Sequence, residues 1–135
     1  MSLDDTTRFP NTQVPRLRVL VVDDEPGIRT IARLMLERAG YVVEEAATAA
    51  EAIRVAATAE CPFAVVLIDV SLPDRSGIEA LPDLRLITAR SRIVLTSGRS
   101  EEDHPDHGAD GYLPKPFSLD QLLAMVRAVT ALTPR

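Results

Sequence analysis

At 135 residues the chain holds one domain's worth of sequence, enough to bury roughly two thirds of the surface its unfolded form would expose. Fifteen lysines and arginines against twenty aspartates and glutamates leave a net charge of −5 with no basic cluster, which disfavours direct nucleic-acid binding and suits a divalent cation better. A lone cysteine, Cys61, excludes an intrachain disulfide; with no signal peptide and no apolar run of membrane-spanning length, a cytoplasmic protein without a membrane partner is expected.

Residues 1–16 are polar, contain Pro10 and Pro15 and lack periodicity, so they are expected to form a disordered leader before a single domain over 17–133. Arg18–Val22 predicts a short strand running into Asp23, Asp24 and Glu25. Pro26 suits a first helical turn, Ile28, Ile31, Ala32, Met35 and Ala39 follow at helical spacing, and Gly40 is placed to close the helix. Tyr41–Ala46 reads as a second strand. Thr48 and Glu51 predict a capping box at the head of an alanine-rich helix over Ala49–Thr58, with Ala49, Ala52, Ile53 and Ala56 on one face.

Phe63–Ile68 is unbroken, apolar and rich in β-branched residues, the pattern of a strand covered on both faces, and Asp69 ends it. The SLPDRSG segment has loop composition. Ile78–Ala89 is patterned as a helix, but an interior proline costs about 3 kcal/mol, so that helix is expected to begin near Pro82 or to kink there. Arg92–Leu95 predicts a fourth strand ending in Thr96, Ser97 and Gly98. Gly111–Lys115 predicts a short fifth strand, at an edge because Pro114 cannot donate to a ladder. Ser118 and Gln121 form another capping box, before a helix with Leu119, Leu122, Val126 and Val129 on one face.

This alternation of strands and helices predicts an α/β fold, a parallel sheet with helices on both faces, in which ligands bind at the carboxyl ends of the strands. Asp23, Asp24, Asp69, Thr96 and Lys115 all fall there. Singly each has an ordinary explanation: acids favoured near a helix N-terminus, a strand-end hydroxyl, a surface lysine. Together they predict one polar crevice. Three carboxylates in it repel by about 4 kcal/mol per pair at about 4 Å and an effective dielectric of about 20, so a cation must offset them. Oxygen donors that leave room for waters and phosphate oxygens match Mg²⁺. Asp69, ionised near neutrality, could then attack phosphorus without a general base.

VVDDEP, LIDVSLPDRSG, LTSG and GYLPKPF, in this order and spacing, resemble the receiver domain of bacterial two-component response regulators over about Arg18 to Leu132. The resemblance implies a doubly wound, five-stranded, flavodoxin-like sheet of order 2-1-3-4-5. It makes Asp69 the phosphoacceptor and Asp23, Asp24 and Asp69 the Mg²⁺ ligands, with Ser71 adding its backbone carbonyl. Lys115 would pair with the phosphoryl group, its bond to Pro116 would be cis, and Thr96 would move toward the phosphoryl oxygen while Tyr112 repacks inward. The implied function is not that of an enzyme. Asp69 would accept phosphate from a sensor histidine kinase or histidine phosphotransfer protein and switch binding to a downstream effector protein or domain. The chain would be either a stand-alone regulator or a domain of a longer protein.

Thr96 and Lys115 are nineteen positions apart, about one helical turn fewer than receivers usually have. The shortage falls on RSEEDHPDHGADG, so the fourth helix of the family is expected to be shortened or absent, putting a conventional dimer in doubt. His104 and His107 in that segment read as a solvated loop in preference to a metal pair. Two other functions remain open. One is a receiver-like interaction module that does not cycle phosphate. The other is a phosphohydrolase of the haloacid dehalogenase type, which would need a second acid where Ser71 stands.

Overall fold

The computed structural model describes residues 16–105 and 107–132, so the expected leader lies outside the described residues except for Arg16. Five parallel strands, β1 (Arg18–Val22), β2 (Val42–Ala46), β3 (Val65–Asp69), β4 (Arg92–Ser97) and β5 (Gly111–Pro114), form one sheet in the order β2-β1-β3-β4-β5. Helices α1 (Pro26–Arg38), α2 (Ala49–Thr58), α3 (Gly77–Ile87) and α4 (Leu119–Thr130) alternate with them. No helix among the described residues is long and apolar enough to cross a membrane.

The unbroken apolar run of β3 follows from its position. It lies between β1 and β4, and all five of its residues are buried. Val66 and Ile68 join one core with Ala49 and Ala52 of α2 and Leu81 and Leu84 of α3. Val65 and Leu67 join the other with Ala32 and Leu36 of α1 and Leu122 and Val126 of α4. Alternate residues therefore serve opposite cores, and polar side chains have no place until the strand end. The ladder extends one residue further than expected: Asp69 is within β3, paired in register with Thr96.

Helix α1 has Pro26 in its first turn and ends in a Schellman pair, with Tyr41 N–H donating to the Leu36 carbonyl and Gly40 N–H to that of Glu37. Gly40 takes a φ of 101° there, which favours glycine. The buried stripe of α1 is Ala32 and Leu36, while Ile31 is 53 % exposed, so the sequence expectation was rotated by roughly one position. In α4, Leu122, Val126 and Val129 are buried as expected, but Leu119 in the first turn is 43 % exposed. The Ser118–Gln121 capping box is complete. At α2 only half of the expected box forms: Thr48 Oγ1 accepts from Glu51 N–H, whereas the Glu51 carboxylate takes the N–H of Ala47, one residue before the cap.

Helix α3 does not begin at Pro82. It starts at Gly77, where Ser76 and Glu79 form a reciprocal capping box, and it contains Pro82 in its interior. The fourth helix of the expected pattern is reduced to one 3₁₀ turn, Glu101–Asp103. His104 and His107 are neither freely solvated nor members of a metal cluster among the described residues. Both are half-buried, with ring centroids 5.9 and 5.5 Å from that of Tyr112.

Candidate functional site

The carboxyl ends of β1, β3 and β5 converge on one acidic crevice. Asp23 follows β1 directly, its N–H bonded to the Ala46 carbonyl at 3.1 Å. Its Oδ1 accepts from Glu25 N–H at 2.9 Å, and its carbonyl accepts from Arg29 Nη1 at 2.7 Å. Asp69 closes β3, with Oδ1 accepting from Ser71 N–H at 3.0 Å. Lys115 follows β5, its N–H bonded to the Ser97 carbonyl at 2.7 Å, and the Lys115–Pro116 bond is cis. The ammonium bridges the two acids, 2.7 Å from Asp23 Oδ2 and 2.9 Å from Asp69 Oδ2.

Asp23 and Asp69 are buried, whereas Asp24 faces solvent, yet one carboxylate oxygen from each of the three lies within 4.8 Å of the others. The set is all oxygen, without sulfur or imidazole, which fits a hard divalent cation. Desolvation dominates at Asp69 and raises its carboxyl pKa above the usual value, against the lowering effect of Lys115 and Ser71 N–H. Desolvation pulls Lys115 down, but its hydrogen bonds to Asp23 and Asp69 and their charges prevail, so its pKa is raised. One ammonium thus holds two buried acids while a third stands at the rim.

The structure gathers Asp23, Asp24, Asp69 and Lys115. Thr96 stands beside them, buried and in register with Asp69. Ser71 presents its N–H to Asp69. Tyr112 is not part of this group. It pairs with Leu95, one step away in register from Thr96, so it points to the other side of the sheet. There it is buried, with its hydroxyl donating to the Arg99 carbonyl at 3.1 Å.

Two residues that support the site were not singled out from sequence. Arg29 fixes the Asp23 carbonyl while its Nε bonds Glu45 of β2 at 3.0 Å, tying the acidic turn to the sheet edge. Its spacing from Asp23 was visible, but its target was not. Gly77 heads α3 with its N–H on the Val70 carbonyl, and a Cβ there would stand 2.4 Å from the Asp69 carbonyl oxygen. That oxygen belongs to a strand whose five residues are all buried, so it has little room to retreat. Gly77→Ala should therefore destabilise the protein by about 1–3 kcal/mol, the usual range for overpacking. Helix propensity alone would favour alanine, by at most about 1 kcal/mol, so sterics decide the sign. Urea unfolding should show the midpoint falling at constant slope.

Comparison with known proteins converges on one family. A family model described as the response regulator receiver domain matches residues 19–127. The transcriptional regulatory protein KdpE of Mycobacterium tuberculosis is 45 % identical over 113 residues, covering 82 % of this chain and 49 % of that protein. The chain thus spans about half the length of the curated relatives it matches. Among solved structures, the chemotaxis response regulator CheY4 of Vibrio cholerae aligns with a TM-score of 0.78 at 33 % identity, over 85 % of this chain and 99 % of that one. The response regulator protein TrrA of Thermotoga maritima, in complex with Mg(2+)-BeF, aligns with a TM-score of 0.75 at 30 % identity, over 84 % and 98 %.

Proposed function

Because this chain belongs to the response regulator receiver domain family of two-component signalling, we propose that Asp69 is its phosphoacceptor and that Asp23, Asp24 and Asp69 hold Mg²⁺ during the transfer. One observation carries the proposal: three carboxylates from two strand ends within 4.8 Å of one another, with Lys115 bridging the two buried ones. The oxygen-only set supports Mg²⁺, and TrrA, a structural neighbour, is in complex with Mg(2+)-BeF. Asp23, Asp24, Asp69 and the Ser71 carbonyl are the groups that would hold the cation, and its chemistry there would be charge neutralisation of the phosphoryl oxygens.

The chain's own groups account for the rest of the step. An Asp69 carboxylate oxygen forms the new bond to phosphorus, and the bond from phosphorus to the donor breaks, with its electron pair leaving on the donor. Both Asp69 oxygens are engaged beforehand, one by Ser71 N–H and one by Lys115. Each oxygen keeps a lone pair for phosphorus, and the Lys115 ammonium, still held by Asp23, can transfer its hydrogen bond from Asp69 to a phosphoryl oxygen. The Thr96 hydroxyl, in register with Asp69, accompanies that charge, and Tyr112 relays the change to the other side of the sheet. The donor is the phosphohistidine of a sensor kinase or histidine phosphotransfer protein. The output is altered binding to an effector protein or domain, and the working unit is the domain over 17–133. The chain acts as a phosphorylated switch and not as an enzyme.

Incubation with acetyl phosphate and Mg²⁺ tests this directly. Intact mass should rise by one phosphoryl group, peptide mapping should place it on the fragment containing Asp69, and EDTA should abolish it. A gain indifferent to EDTA, or mapped to another fragment, refutes the assignment.

A further inference from the structure

Asp74 lies in the loop between β3 and α3, and its side chain is not part of the acidic cluster. Its carboxylate crosses instead to the N-terminus of α2, where Oδ1 accepts from Ala49 N–H at 3.0 Å and Oδ2 from Ala50 N–H at 2.8 Å. The next two N–H groups of that helix are served locally, Glu51 by the Thr48 hydroxyl and Ala52 by the Thr48 carbonyl. Of the donors that a helix start leaves without an intrahelical partner, those of Ala49, Ala50 and Glu51 are taken, two of them by a residue of another loop. Asp74 suits this task as an anion: desolvation would raise its carboxyl pKa, but the amides of Ala49, Ala50, Asp74 itself and Arg75 outweigh that and hold it below the usual value.

The bonds matter because of where the loop is otherwise fastened. Its ends are fixed by Val70 N–H on the Thr96 carbonyl at 2.9 Å and by Gly77 N–H on the Val70 carbonyl at 3.0 Å. Arg75 is tied to α3 through Asp83 and the Glu79 carbonyl. Across 72–74, among the described residues, the hydrogen bonds that reach a separate element are the two accepted by Asp74. Ser71 sits at the start of that stretch.

We propose that Asp74 is a positioning residue for cation loading: by fastening the β3–α3 loop to α2, it holds the Ser71 carbonyl in place for the cation. The inference rests on the assignment of Asp23, Asp24, Asp69 and Ser71 as the cation site. A loop released from α2 must be ordered again at each binding event, and that ordering lowers affinity. Residues that orient metal ligands typically change affinity 10- to 100-fold, and exposed Asp74 belongs at the lower end, about tenfold.

The test is titration with Mg²⁺ alone, followed through the backbone amide signals of Glu25 and Ser71, alongside thermal unfolding in EDTA. Asp74→Ala should raise the Mg²⁺ Kd about tenfold, and Asp74→Asn, which keeps one acceptor oxygen, should fall between it and the wild type. Adding Ala50→Glu to Asp74→Ala returns a negative charge to the first turn of α2 without rebuilding the tether. Tm should then recover while Kd stays weak. An unchanged Kd in Asp74→Ala, or a Kd that recovers together with Tm in the double variant, overturns the inference. A wild type that shows no saturable Mg²⁺ binding overturns the cation site itself, and the inference with it.

Discussion

Lys115→Met is expected to lower the stability of the metal-free protein by about 3 kcal/mol at neutral pH, the lower end of what breaking a buried ion pair costs. Methionine keeps the length and apolar stem of the side chain but leaves Asp23 and Asp69, 3 % and 5 % exposed, facing each other with no cation between them. The lower end applies because each acid keeps one backbone donor, Glu25 N–H and Ser71 N–H, and because Lys115 lies at the crevice rim. Urea unfolding in EDTA measures the loss. Excess Mg²⁺ should then close most of the gap, since an added cation stabilises whichever folded form binds it more tightly, and the variant no longer sets an ammonium against it.

The same replacement should change the alkaline limb of the stability curve. Lys115 titrates above its ordinary value of 10.5, through its bonds to Asp23 and Asp69. A cation whose pKa rises on folding contributes stability that is complete below the unfolded value and disappears as pH climbs through the folded one. The wild type should lose stability as pH rises above about 10.5, and the variant should lack that component. Equal stability of the two proteins at neutral pH in EDTA would mean that Lys115 does not offset the repulsion between the two acids.

The fold and the rim of acids were legible in sequence for one reason: both depend on order along the chain. Apolar runs ending in Asp23 and Asp69, separated by helical periodicity, place acids at the carboxyl ends of parallel strands whatever the packing details. The misreadings concern quantities that order does not carry. Ile31 and Leu36 satisfy helical spacing equally well, and only the position of α1 on the sheet selects Leu36 for burial. Pro82 was weighted by its intrinsic cost, whereas the reciprocal cap at Ser76 starts the helix five residues earlier. His104 and His107 are loop residues with polar neighbours, and that their rings lie against Tyr112 is a contact no local pattern reports. Gly77, Arg29 and Asp74 act across elements, on Asp69, Asp23 and α2 respectively, and no local pattern reports such a contact.

Asp69→Asn should abolish the Mg²⁺-dependent mass gain from acetyl phosphate without cost to the fold. The amide offers no anionic oxygen to phosphorus, so no acyl phosphate forms however well the donor is positioned. The stability expectation separates this from loss by misfolding. Burial lifts the Asp69 carboxyl above its ordinary value of 3.8 despite the Lys115 and Ser71 bonds, so the folded state holds that proton more tightly than the unfolded one. Stability attributable to Asp69 therefore falls as pH rises from the unfolded pKa through the folded one, and the ionised group burdens the metal-free protein at neutral pH. Asparagine removes that titration and one of the three repelling charges while an oxygen stays available to Lys115 or Ser71 N–H. In EDTA at neutral pH the variant should unfold at a urea concentration no lower than the wild type does, and Mg²⁺ should stabilise it less. A persistent mass gain would place the nucleophile elsewhere. A steep loss of stability would show Asp69 holding the fold together. The expected pair of results, chemistry gone and fold intact, is what a site built around one destabilising carboxylate requires.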